Sequence, residues 1–164
     1  MPGDPDRAIR VLCVDDHVLI RKGVASILAN EPDMQLVAEA ANGREAVRLF
    51  RELRPDVTLM DLRMPELDGI AATRDIRAEF PAARIIALTS YEGDQDIYRA
   101  LEAGVRGYLL KEAVHAEVVR AIRTVHAGKR LMPPEVAERL IEYFPQLALT
   151  PRETQVLGLG QRVG

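Results

Sequence analysis

Five short apolar runs, each followed by a stretch of helical periodicity, limit most strongly what this chain can fold into. Ile9 to Val14, Met34 to Ala40, Val57 to Met60, Arg84 to Leu88 and Gly107 to Leu110 read as strands. Val18 to Asn30 places Ile20, Val24, Ile27 and Leu28 on one helical face. Asn42, with Glu45 three residues on, opens a second helix lined by Ala46, Val47, Phe50 and Leu53. Ile70, Thr73, Ile76 and Phe80 suit a third helix stopped by Pro81, and Asp94 to Ala103 a fourth, with Gly104 as its C-terminal cap. Val114 to Ala127 is a fifth, with Val118, Ile122 and Val125 inward and Gly128 at its end. A run as uniformly apolar as Val57 to Met60 must be covered on both faces. Strict strand–helix alternation gives a parallel sheet with right-handed crossovers. The expected architecture is α/β: a doubly wound five-stranded parallel sheet in the order 2-1-3-4-5, followed by a C-terminal helical linker. Gln35 and Glu39 interrupt the second strand, which places it near an edge.

The 164 residues are enough for one compact domain and a short appendage. With 4% aromatic residues and no Trp, the core must be built from Val, Leu, Ile and Ala. A net charge of -3 gives no polyanion-binding surface over the chain as a whole. The single cysteine, Cys13, excludes an intrachain disulfide and fits a reducing compartment; within its apolar run it reads as a small buried hydrophobe. Met1 to Arg7 lacks the apolar segment of a secretory signal, and no stretch reaches the length of a membrane span. A cytoplasmic location with no membrane association is expected.

Ligands of a doubly wound sheet bind beyond the carboxyl ends of its strands, where the strand order reverses. That rim collects Asp15 and Asp16 after the first strand, Asp61 after the third, Thr89 and Ser90 after the fourth and Lys111 after the fifth. Each alone has a plainer reading: Asp16 a helix N-cap, Thr89 a loop hydroxyl, Lys111 a solvated lysine, Asp61 a turn residue. Together they imply chemistry. Clustered carboxylates repel unless they share a cation, and an all-oxygen set favours a hard ion such as Mg²⁺ (or Mn²⁺). A metal and a lysine on one rim suit the oxygens of a phosphoryl group, for which a carboxylate can be the nucleophile. Asp61, alone at the end of the central strand between Met60 and Leu62, is the best candidate. Asp15 and Asp16 are adjacent and point opposite ways, so one can ligate the metal directly and the other through water.

The segments VLCVDDHVLIRKG (Val11 to Gly23), DVTLMDLRMPELDG (Asp56 to Gly69), IIALTS (Ile85 to Ser90) and GVRGYLLK (Gly104 to Lys111) resemble the receiver domain of two-component response regulators. The likeness covers Ile9 to Gly128. The DDH opening, and Glu112 after GYLLK, look like the NarL/FixJ (LuxR-type) subfamily. The resemblance implies a flavodoxin-like receiver. In it Asp61 accepts a phosphoryl group from a sensor histidine kinase, and Asp16, Asp61 and the backbone carbonyl of Arg63 bind the metal, with Asp15 acting through water. It implies further that Lys111 contacts the phosphoryl group, that the Thr89 hydroxyl turns toward it and that Tyr108 follows inward. Pro65 would shape the loop presenting the Arg63 carbonyl. A homodimer on phosphorylation is implied, through helices one and five or four and five. His17, near the acidic pair, and His115 and His126 read as structural or surface residues, and Tyr98 on the fourth helix as a residue that could face a partner.

The expected organisation is a disordered N-terminus over 1–8, the receiver over 9–128 and a linker with a helix over 129–149. Residues 150–164 would be the start of a truncated LuxR-type helix-turn-helix. LTPRETQVLGL (Leu149 to Leu159) resembles the opening of that domain, with Thr150, Pro151 and Glu153 as N-cap, N1 and N3. The recognition helix does not follow, so sequence-specific DNA binding by the chain as written is not expected. Two alternatives use the same residues: a haloacid-dehalogenase-like phosphatase, and a dimerisation module independent of phosphorylation. The first spaces its two Asp by one residue, unlike Asp15 and Asp16. The complete acidic set with Lys111 argues against the second.

Overall fold

The computed structural model describes residues 7–90 and 94–132, with 134, 137 and 138. Strands β1 (Ile9–Val14), β2 (Met34–Ala40), β3 (Val57–Asp61), β4 (Ile85–Thr89) and β5 (Gly107–Leu110) alternate with helices α1 (Val18–Ala29), α2 (Gly43–Leu53), α3 (Gly69–Glu79), α4 (Asp94–Ala103) and α5 (Val114–His126). All strand pairs are parallel, in the order β2-β1-β3-β4-β5. The sheet and its order are those expected. β3 and β4 each run one residue further than their apolar patterns, so Asp61 and Thr89 end strands rather than start loops.

Alternation along the strands divides the core into two layers. Leu12, Val14, Met60, Ala87 and Tyr108 face one layer with Phe50, Ile70, Ile76 and Ile97. Val11, Cys13, Leu59, Ile86, Leu88 and Leu109 face the other with Val24, Leu28, Val118 and Ile122. β3 is buried at every position, as a central strand must be, whereas β2 is partly exposed at the sheet edge. Burial pushes the Cys13 thiol up to about 12, which keeps it an unreactive hydrophobe.

Local chemistry sets the helix ends. The Asn42 side chain accepts a hydrogen bond from Glu45 N at 2.8 Å, and Glu45 reaches back to Ala41 N at 2.9 Å, one residue beyond the N-cap N–H of a standard capping box. Asp68 caps α3 through Ala71 N. Gly104 and Gly128 take positive φ after α4 and α5, as their C-terminal positions require. Phe80 lies one residue past α3, half-buried, against Phe50 (centroids 5.2 Å apart) and under the Arg54 guanidinium.

β5, although terminal in the order, is buried throughout. Leu131 covers its edge: Tyr108 N donates to Leu131 O (3.0 Å) and Leu131 N to Arg106 O (3.1 Å). The linker thus begins as an addition to the sheet, which its basic, Pro-containing sequence did not signal. The linker helix expected over Glu135 to Phe144 and the helix-turn-helix start fall almost wholly outside the described residues. No helix among the described residues is long and apolar enough to cross a membrane.

Candidate functional site

The carboxyl ends of β1, β3 and β5 bring Asp15, Asp61 and Lys111 together. The Lys111 ammonium lies 3.2 Å from Asp15 Oδ2 and 3.1 Å from Asp61 Oδ2, with both carboxylates buried. Apart from this ion pair, neither oxygen accepts a hydrogen bond of good geometry. Asp61 Oδ1 accepts from Arg63 N at 3.2 Å. Asp16 is exposed beside the buried Asp15, the opposed orientation expected of neighbours on an extended chain. His17, not Asp16, is the N-cap residue of α1, and its side chain makes no capping bond.

Electrostatics marks Asp61 out. Burial first, and then the Asp15 carboxylate, push its carboxyl up to about 7, against the pull of Lys111 and the Arg63 N–H. Burial acts to lower the Lys111 pKa, but Asp61 and Asp15 outweigh it and hold the ammonium above its ordinary value. Asp15, Asp16, His17 and Asp61 each place one ligand atom so that all stand within 4.8 Å of one another. Three carboxylates against one lysine leave the pocket negative, and two of their oxygens are buried without N–H or O–H donors other than Lys111. That donor set fits a hard divalent cation.

The other expected residues have distinct places. Thr89 is buried as the last residue of β4. Tyr108 is fully buried and pairs across the strands with Ala87. The ring is inward in this structure. Pro65 is exposed in the β3–α3 loop, and the left-handed backbone of that loop falls on Glu66 (φ 50) and Leu67 (φ 82). His115 and Tyr98 are exposed, and Tyr98 Oη donates to Glu102 at 2.7 Å.

Three features escaped the sequence reading. His17 enters the pocket: its Nδ1 lies 2.9 Å from Asp15 Oδ1 and 3.2 Å from Lys111 Nζ. Arg21 Nη1 donates to the Asp15 carbonyl at 2.7 Å while its Nε pairs with Glu39, which fixes the β1–α1 turn. Gly69 admits the backbone of β3: a Cβ there would lie 1.9 Å from the Asp61 carbonyl oxygen, and one on Gly43 would lie 2.0 Å from that of Leu67. The adjacency of His17 to the acidic pair and the LDG signature in the loop were the sequence signals for these.

Residues 11–123 match the response regulator receiver domain family. The response regulator protein VraR of Staphylococcus epidermidis is 37% identical over 155 residues, which is 92% of this chain and 74% of that protein. VraR of Staphylococcus aureus is 38% identical over 154 residues, covering 91% and 74%. Among solved structures, a LuxR-family two-component response regulator from Aurantimonas sp. superposes with a TM-score of 0.77 at 42% identity, covering 83% of this chain and 97% of that one. The receiver domain of the putative regulator NarL from Mycobacterium tuberculosis superposes with a TM-score of 0.71 at 32% identity, covering 75% and 99%. These matches do not favour the phosphatase or the phosphorylation-independent module. Family match, sequence identity and fold agree: the chain belongs to the response regulator family, as a two-component receiver domain, a signalling module of transcription regulators.

Proposed function

We propose that Asp61 is the phosphoacceptor of this receiver. Its carboxylate attacks the phosphorus of a phosphohistidine on a sensor histidine kinase. The P–N bond breaks as the new P–O bond forms, and the released imidazole nitrogen takes its proton from solvent. The observation that carries this reading is the Lys111 ammonium between the buried Asp15 and Asp61 carboxylates. Asp16 and Asp61, with the Arg63 carbonyl, would hold Mg²⁺ (or Mn²⁺), and Asp15 would act through water. When bound, the ion neutralises charge on the phosphoryl oxygens.

Asp61 as its acyl phosphate no longer offers Lys111 a carboxylate, so the ammonium turns to the phosphoryl oxygens. The Thr89 hydroxyl turns to the same group, and Tyr108 is held in its inward position beside Ala87. Pro65 shapes the loop that presents the Arg63 carbonyl. The switch favours a homodimer and controls a DNA-binding domain through the 129–149 linker, with 150–164 as the start of that domain. Catalysis in the chain itself is limited to its own phosphorylation and dephosphorylation, and it acts in the cytoplasm with no membrane partner. Acetyl phosphate with Mg²⁺ should give a hydroxylamine-labile phosphoprotein by intact mass, with more dimer by gel filtration. Asp61→Asn should abolish both; label retained by that variant overturns the assignment.

A further inference from the structure

We propose that His17 is a further metal ligand of this pocket, and that it shifts the pocket's preference from Mg²⁺ toward ions that accept nitrogen, such as Mn²⁺ and Co²⁺. The inference rests on the site reading above. His17 Nδ1 stands 2.9 Å from Asp15 Oδ1, 3.4 Å from Asp16 Oδ1 and 3.2 Å from Lys111 Nζ. No single proton placement satisfies these neighbours. An N–H at Nδ1 suits the carboxylates and opposes the ammonium, whereas a lone pair suits the ammonium and faces two carboxylates. A shared cation resolves the conflict, because nitrogen lone pair and carboxylate oxygens can all point at it.

The spacing agrees. Neighbouring ligands on an octahedral ion with bonds of about 2.1 Å stand about 3 Å apart, close to the 3.4 Å between His17 Nδ1 and Asp16 Oδ1, the direct carboxylate ligand of the site reading. The ring is not committed to the helix, since it makes no capping bond to α1. The residue is already anchored at the pocket by its own backbone N–H, which donates to Asp15 Oδ1 at 2.8 Å. Mg²⁺ takes oxygen ligands and keeps its waters, whereas imidazole binds first-row transition ions increasingly well from Mn²⁺ to Co²⁺. His17 therefore contributes to the second class of ion and little to the first.

The test titrates the 164-residue chain with MgCl₂, MnCl₂ and CoCl₂ by calorimetry, alongside His17→Ala and His17→Asn. Asn keeps an N–H for Asp15 but offers no imidazole. In both variants the ratio of Co²⁺ to Mg²⁺ affinity should fall about tenfold or more. Spin-echo modulation from a ring nitrogen bound to Mn²⁺ should be present in the parent and absent from both. Equal loss of all three ions in His17→Ala with recovery in His17→Asn overturns the proposal, since it marks a residue that only positions Asp15. So does a parent Mn²⁺ complex without nitrogen modulation. Binding that depends on Asp16 and Asp61 but is indifferent to His17 overturns this inference alone, whereas a parent that binds none of the ions overturns the site reading as well.

Discussion

Replacing Asp61 by Asn should stabilise the metal-free protein at alkaline pH, although it removes the residue on which function turns. The Asp61 carboxyl titrates near 7 when folded, against 3.8 for the ordinary group. Between those values the folded chain holds a proton that the unfolded chain has released, so parent stability falls as pH rises across that window. Once both forms are ionised, the loss reaches on the order of 4 kcal/mol. Asn carries no charge and escapes it. Its amide must place two N–H groups beside Asp15 and Lys111, and Lys111 loses one of its two carboxylates, so a net gain of about 2–4 kcal/mol is expected at pH 8.5. The gain should be near zero at pH 4 and grow by up to about 1.4 kcal/mol per pH unit toward pH 7. Urea denaturation of both proteins in EDTA at a series of pH values measures it, with equal m-values as the control. Saturating Mg²⁺ should narrow the difference, because a cation in the pocket favours the ionised parent. An Asn variant no more stable than the parent at pH 8.5, or a gain that ignores pH, would refute the electrostatic account of this site.

Lys111→Met leaves Asp15 and Asp61 facing each other without their cation. It should cost about 3 kcal/mol above pH 7, less as Asp61 takes a proton, and should remove the NMR shifts that beryllofluoride induces at the Thr89 and Tyr108 amides. Gly69→Ala drives a methyl into the Asp61 carbonyl, so thermal melts should show a loss of at least about 3 kcal/mol, and acetyl phosphate should label the surviving folded protein poorly. Asn42→Ala removes the α2 cap without touching Asp15, Asp61 or Lys111. It should cost about 1 kcal/mol in urea and leave phosphoprotein formation at its parent rate.

The sheet was legible because each of its strands carries its own apolar run, and because alternation with helical periodicity admits few topologies. The rim was legible for the same reason: strand ends locate Asp15, Asp61, Thr89 and Lys111 without any knowledge of loop geometry. What escaped depends on contacts between distant segments. Gly69 and Gly43 are ordinary turn glycines until folding brings the backbones of Asp61 and Leu67 against them. Leu131 lies in a basic stretch, and only the open edge of β5 makes it part of the sheet. Arg21 reads as one more exposed helix residue, yet the curl of the β1–α1 turn puts the Asp15 carbonyl within its reach. His17 adjoins the acidic pair in sequence, which places it beside the pocket, but with no partner histidine at metal-binding spacing local pattern gave it no chemical role there. Its neighbours there come from three strand ends rather than from its own helix.

The site's instability and its chemistry have one cause. Two carboxylates buried side by side would favour protonation, and a protonated Asp61 cannot attack phosphorus. Lys111 moderates that without neutralising the set, since one ammonium faces three acidic groups, so the pocket still has affinity for a divalent ion. A hydrophobic replacement for any of these groups would make a firmer core and a dead site. The lysine's position matters as much as its charge. It follows directly on β5, a strand of only four residues, whose Tyr108 is hydrogen-bonded at its backbone to Leu131 of the linker. Any change in what Lys111 binds is thus made three residues from the contact that ties the receiver to the chain beyond it.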